Sequence, residues 1–148
     1  MSVTYPYPRP AVTVDVVVFG IDTKADFNVL LIKRGRAGTP YYGCWALPGG
    51  FVDENEDLDV AARRELREET HVELDDIRQI GAFGKPGRDP RGHVISVAYT
   101  TLVRCHAVTF KADDDAKEAQ WWPLNALPNL AFDHADIVAA ARIKMGLV

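Results

Sequence analysis

Three glutamates within five residues, Glu65, Glu68 and Glu69, are the side chains best equipped to do chemistry in this sequence. On a helix turning about 100° per residue, with Glu65 as zero, Glu68 falls near −60° and Glu69 near +40°, so the carboxylates share one face. Leu58, Ala62 and Leu66 fall at about 20°, 60° and 100°, and the acidic face therefore borders the stripe expected to pack on a sheet. Arg63 and Arg67 point away, at about 160° and 200°, leaving Arg64, at about −100°, to pair with Glu68. Like charges at this spacing cost roughly 0.2–0.5 kcal/mol per pair when exposed, and more when desolvated. A divalent cation would offset that cost, and oxygen-only ligation suits Mg²⁺ or Mn²⁺ better than zinc, which favours His and Cys. A solvated acidic face laced with arginine pairs is the plainer reading of the same residues.

The segment before the helix sharpens the choice. Pro48-Gly49-Gly50 predicts a tight turn with no side chain to block a ligand, from which a backbone carbonyl can reach an ion held by the helix. Alone, such a tripeptide is more often a plain turn.

Positioning these residues requires a helix and a sheet to pack it on. Leu58 to His71, rich in Ala, Leu, Glu and Arg, predicts the helix, and Asp133 to Met145, closed by Gly146, predicts a second. Ala11 to Phe19 and Phe27 to Lys33 predict paired strands around turn chemistry at Gly20 to Asp26. Val94 to Val103, Glu118 to Trp122 and, more weakly, Ile77 to Phe83 predict further strands, giving an α/β or α+β layered domain with a mixed sheet. At 148 residues and 47% hydrophobic composition, one domain spanning residues 1–148 is expected, with Met1 to Pro10 as an extended, proline-rich N-terminal arm. No repeat or Gly/Ser-rich linker divides it.

The formal charge of −4, from 17 basic and 21 acidic side chains, argues against a surface that attracts nucleic-acid backbone. The apolar run Val16 to Phe19 is far below the roughly 20 residues that cross a bilayer, so no membrane partner is expected. Two cysteines, Cys44 and Cys105, indicate neither a disulfide scaffold nor a zinc site, and the arm lacks the layout of a signal peptide. A cytoplasmic location is the matching expectation.

The stretch from Gly50 to Val72 resembles the Nudix hydrolase box: Gly50, Glu56, Arg64, Glu65, Leu66, Glu68, Glu69 and Val72 stand at its specified positions. The departure is His71, where the family has glycine at the helix exit. The resemblance implies a Nudix-type α/β/α sandwich whose helix and preceding loop hold Mg²⁺, or Mn²⁺ in its place, against a substrate diphosphate. It makes Glu65, Glu68 and Glu69 metal ligands or water activators. Gly49 becomes a carbonyl ligand, Arg64 the residue that orients the acidic cluster, and Glu56 a structural partner. Related enzymes take the general base either from the box or from a distal loop, which leaves Glu68 and Glu118 as candidates, with Glu118 a further metal ligand; a solvated strand-edge charge is the bland alternative for Glu118.

Substrate turns on the loop Phe83 to His93, which is similar to that of ADP-ribose pyrophosphatases and of the Nudix domains of NAD-metabolism regulators. Arg88 and Arg91 there suit bidentate phosphate contact, as Arg34 does at a strand end, although basic turns and strand-end arginines are commonly solvated. The segment Leu130 to His134 is similar to the same group. Trp45, Trp121 and Trp122 are read as core before base-stacking residues, and His134 as core or cap before ligand contact. The expected activity is hydrolysis of a nucleoside diphosphate derivative, ADP-ribose first, to AMP and ribose 5-phosphate. Nucleoside triphosphates, dinucleoside polyphosphates and a non-catalytic ADP-ribose sensor are the alternatives. The regulators carry a winged-helix DNA-binding segment for which these 148 residues leave no room, which favours the enzyme. A homodimer is expected from the family alone.

Overall fold

A computed structural model describes residues 4–111 and 116–147. Its longest strand, β1 (Ala11–Ile21), is buried along most of its length because both of its faces are covered. Val14, Val16 and Val18 face a cluster with Ala61, Ala62 and Leu66 of α1 (Leu58–Thr70), whereas Val17 and Phe19 face Ile137, Val138 and Ala141 of α2 (His134–Met145). The alternation is the two-residue period of a strand, here apolar on both sides. Strand β2 (Phe27–Arg34) repeats it, with Leu30 on the α1 side and Val29 and Leu31 on the α2 side. The result is an α/β/α sandwich. Among the described residues no helix is long and apolar enough to cross a membrane.

Among the described residues the sheet has seven strands. Strand β1 runs parallel to β6 (Val94–Arg104) over its full length, and β6 pairs antiparallel with β5 (Arg78–Phe83). On its other side β1 changes partner. Its end, Phe19 to Ile21, pairs with β2, whereas Thr13 to Asp15 pair with β4 (Gly49–Phe51). Strand β2 therefore diverges from β1 and continues with β3 (Trp45–Ala46) and β7 (Ala116–Pro123). This divergence opens the sheet and lets the segment leading from β3 to β4 enter beside β1, where the Val16 N–H donates to Pro48 O at 2.9 Å.

The mixed sheet and both helices match the sequence expectation, with strand ends moved by one or two residues. One local reading is corrected: Gly49 and Gly50 form strand β4, and neither has the positive φ of a tight turn. Glycine is required there for close approach. A β-carbon on Gly50 would sit 2.5 Å from the Glu65 carboxylate carbon, and one on Gly49 would collide with the Val14 carbonyl and the Asp15 carboxylate. Residues 4–10 precede β1 without strand or helix and leave Tyr5 and Tyr7 exposed. The tryptophans pack as core: Trp45 lies edge-on to Trp122, and Trp121 edge-on to Phe110.

Helix α1 begins at Asp57, whose side chain accepts the Asp59 N–H, and ends at His71, whose N–H reaches Arg67 O. His71 has φ 62°, the left-handed conformation that glycine adopts without a Cβ penalty. We expect His71→Gly to stabilise the chain by up to about 1 kcal/mol, since relief of the Cβ clash exceeds the extra backbone entropy of glycine in the unfolded chain. Urea unfolding checks this, and a loss of stability would show that the imidazole contributes more than its backbone costs.

Candidate active site

Where β1 and β2 separate, a cleft of about 450 Å³ forms, with α1 and β4 on one side and the Gly84 to His93 loop and the start of α2 on another. Its acidic wall carries Glu65, Glu68, Glu69 and, from β1, Asp15. The same cleft is lined by the cationic side chains Arg34, Arg36 and Arg91 and by Phe132. Acidic and basic side chains lining one cleft suit a substrate whose phosphates sit on cations and whose remaining groups need arginine contacts.

The glutamates share a face, as the helical period requires, but their environments differ. Glu69 turns under β4 and accepts the Gly49 N–H at 2.7 Å through Oε1. Burial pushes its carboxyl up to about 8, the Gly49 contact opposing and the negative Glu65 and Asp15 adding to the rise. Glu65 is also raised by burial, against the pull of Arg64. Glu68 is the open member, with a side chain 43% exposed and one Arg64 contact at 3.1 Å.

Arg64 is the hub on the outer side. It forks onto Glu56 with Nε at 2.7 Å and Nη2 at 2.9 Å, and reaches Glu65 at 2.8 Å, Glu68 at 3.1 Å and the Phe51 carbonyl at 3.0 Å. Its principal partner is thus Glu56, which the helical wheel alone does not reveal because Glu56 lies before the helix. The Glu56 carboxyl is held down at about 2, first by Arg64 and then by the Asp53 N–H.

Among the described residues, no group of three or more His, Cys, Asp or Glu side chains stands ready to hold a metal ion in this arrangement. The carboxylates are turned instead to protein donors, Glu69 to Gly49 and Glu65 and Glu68 to Arg64. The donor set nevertheless fits a hard divalent cation. Glu65 and Glu69 are held above their ordinary pKa by burial, with Glu68 and Asp53 adding to the rise of Glu65 and Glu65 and Asp15 to that of Glu69, so a cation entering the cleft meets acidic oxygens short of positive charge. Gly49 adds to this: its N–H points away from β1 toward Glu69, and in extended backbone its carbonyl lies on that same edge.

The remaining sequence candidates divide. Arg34 and Arg91 reach the cleft; the Arg34 Nε donates to Pro40 O at 2.8 Å and its guanidinium lies 5.1 Å from the Phe132 ring. Arg91, 37% exposed, pairs with Asp89 and spans the Phe51 and Phe132 rings at 4.8 and 5.4 Å. Arg88 also borders the cleft, but its side chain is only 4% exposed and forks onto Asp133 at 2.6 and 2.9 Å. It braces the loop instead of offering a free fork. Glu118 is not brought to the site: it stands exposed on β7, opposite Lys33 of β2 in register, with the two charges 3.5 Å apart. Antiparallel pairing with β2 directs it away from the acidic wall.

Sequence reasoning missed the cleft floor. Asp15, 6% exposed, accepts the Ser96 hydroxyl through one oxygen and stands 3.4 Å from His134 Nε2 through the other. The His134 Nδ1 accepts the Leu47 N–H at 3.0 Å, so the ring proton belongs on Nε2, facing Asp15. Burial holds this imidazole below its ordinary pKa against the opposing pull of Asp15. The available signal was Asp15 itself, one charge inside a strand whose other side chains, Thr13 apart, are apolar.

A NUDIX domain model matches residues 9–141. An ADP-ribose pyrophosphatase of Methanocaldococcus jannaschii is 44% identical over 132 residues, 89% of this chain and 73% of that protein. An ADPR-responsive transcriptional repressor, NtrR, of Acinetobacter baylyi is 36% identical over 143 residues, 94% of this chain but 56% of the repressor. Among solved structures, the NUDIX domain of Shewanella oneidensis NrtR complexed with ADP ribose superposes with a TM-score of 0.83 at 32% identity, covering 96% of this chain and 94% of that one. With its box glutamates gathered on one wall of a cleft between diverging strands, and with this extent of similarity, the chain belongs to the Nudix family.

Proposed function

We propose that this chain is a divalent-metal-dependent pyrophosphohydrolase that cleaves ADP-ribose to AMP and ribose 5-phosphate. The observation that carries the reading is the crowding of Glu65, Glu68 and Glu69 in a cleft that Arg34 and Arg91 also line. The relative from Methanocaldococcus jannaschii supports the substrate. A cation held by Glu65, Glu68, Glu69 and the Gly49 carbonyl, Mg²⁺ or Mn²⁺, would neutralise diphosphate oxygens and acidify the attacking water. Water oxygen forms the new P–O bond, the bridging oxygen leaves with its electron pair on the second phosphate, and a proton passes to a carboxylate. In this reading Glu68 takes it, supported by its being the exposed member of the cluster with a single arginine contact. Arg91 orients the diphosphate in the cleft, with Arg34 as a second cationic contact.

Chromatographic separation of the nucleotide products, with no coupling enzyme present, measures the reaction with ADP-ribose and ATP as substrates. Turnover of ADP-ribose is expected to exceed that of ATP and to vanish in EDTA. Undiminished turnover in excess EDTA overturns the metal assignment, and preference for ATP overturns the substrate. Arg91→Ala is expected to lower kcat/KM about 10- to 150-fold, chiefly through KM, as loss of a charge-assisted contact made in both ground and transition states. Wild-type kinetics in that variant would return the arginine loop to a solvated turn. A sensing module is the second reading, favoured by the similarity to an ADP-ribose-bound NrtR domain. Calorimetric binding of ADP-ribose without product formation in Mg²⁺ selects it.

A further inference from the structure

Phe132, Asp133 and His134 each depart from the locally preferred arrangement at the start of α2. Phe132 has φ 53°, a left-handed conformation unusual for an aromatic residue. Asp133 occupies the N-cap position, where its carboxylate would normally accept a helix N–H, yet it makes no such bond and is spent on Arg88. His134 follows with its ring buried at 4% exposure, and that ring accepts from Leu47, on a different element. Three adjacent departures from local preference, all satisfied by tertiary contacts, mark a segment shaped by what it holds.

What it holds are the two loops that meet at the cleft. Asp133 fastens the loop bearing Arg88 and Arg91. His134 fastens Leu47, two residues before Gly49, whose N–H in turn holds Glu69 at 2.7 Å. On the far side of the ring, Asp15 and Ser96 close the polar network, so rotation of the imidazole would break contacts at both nitrogens.

We infer that His134 is a positioning residue for the glutamate cluster: by accepting the Leu47 N–H it fixes the Leu47–Gly49 segment, and through it the Gly49 amide and carbonyl against Glu69. Asp133 does the same for the arginine loop, so the first turn of α2 sets the spacing between the acidic wall and that loop. The inference rests on the reading of the cluster as a metal centre.

His134→Asn places an amide oxygen near the Nδ1 position and keeps an acceptor for Leu47, whereas His134→Gln carries its amide to the Nε2 end and His134→Ala has neither. Two readouts apply to the full chain: amide hydrogen exchange of Leu47 and Gly49 in metal-free protein, and affinity for Mn²⁺ alone by electron paramagnetic resonance. In His134→Ala and His134→Gln, the Leu47 and Gly49 amides should lose protection and Mn²⁺ affinity should fall about 10- to 100-fold, the usual cost of removing a supporting partner, while His134→Asn stays within about threefold of wild type. A merely structural histidine would not separate Asn from Gln. Equal behaviour of those two variants, or unchanged Gly49 exchange in folded His134→Gln, overturns the inference. Absence of Mn²⁺ binding in the wild type would overturn the metal reading instead, and the exchange of Gly49 would still decide the role of His134. Should His134→Ala fail to fold, the Asn and Gln pair carries the same comparison.

Discussion

Glu69→Gln is expected to lower kcat by more than about 100-fold, beyond the cost of losing a mere supporting partner, while making the metal-free protein more stable at pH 8. The two effects have one cause. The folded chain raises the Glu69 carboxyl from 4.5 to about 8, so across that interval it retains a proton that the unfolded chain has released. Stability from this group is therefore fully present below about pH 4.5 and is lost as the pH rises through about 8. A glutamine is neutral throughout and can still accept the Gly49 N–H through its amide oxygen, so the variant lacks that loss. Added Mg²⁺ is expected to reverse the ranking, since a cation bound at the proposed centre would displace the proton from the wild-type carboxylate and stabilise the folded chain by mass action, and would gain much less from the amide. Urea midpoints at pH 5 and pH 8, in EDTA and in Mg²⁺, measured beside kcat, test all of this. A variant that is less stable than wild type at pH 8 without metal, or that turns over normally, removes Glu69 from the centre.

The sequence made the acidic wall legible because a helix converts spacing into direction. Glu65, Glu68 and Glu69 share a face by arithmetic alone, and Leu66 between them fixes which way that face turns. The exit at His71 was less readable, since a histidine in place of glycine either bears the cost of the left-handed conformation or changes the turn, and the structure shows that it keeps that conformation. Gly49 and Gly50 were misread because a turn and a close approach both call for glycine, and only the positions of Val14 and Asp15 beside Gly49 and of Glu65 beside Gly50 distinguish them. Glu118 shows the limit of local reading in another way. Its neighbourhood in sequence says nothing of register, and register with Lys33 decides that it faces solvent. Arg88 was legible as a cleft residue but not as a brace, because its partner Asp133 lies 45 positions away. Asp15, Ser96 and His134 come from three separate elements, and their convergence depends on the parallel pairing of β1 with β6 and on the packing of α2.

Arg64→Ala is expected to destabilise the chain by roughly 3 kcal/mol at pH 7, the low end for removing one partner of a buried ion pair. The low end applies because the guanidinium retains 16% exposure and its partners can recruit water. Most of the loss should come from Glu56. In the wild type its carboxyl is held at about 2 against an ordinary 4.5, so the stabilisation it brings is present above about pH 4.5 and is lost as the pH falls through about 2. The deficit of the variant relative to wild type should therefore shrink steadily over that interval, because protonated Glu56 no longer needs the arginine. Arg64→Lys keeps the charge but cannot fork onto Glu56 while reaching Glu65 and the Phe51 carbonyl, so it should recover only part of the loss. Activity should fall in both variants, since Glu65 and Glu68 lose the donor that orients them. Glu56→Gln provides the control: it removes the depressed carboxyl while leaving Arg64 beside Glu65 and Glu68, so its stability deficit should fade over the same pH range while more of the catalytic rate survives. Denaturation midpoints of the four proteins from pH 7 to pH 2, with kcat at pH 7, decide the matter. A deficit in Arg64→Ala that does not change with pH would mean that the arginine acts through packing of its stem rather than through Glu56.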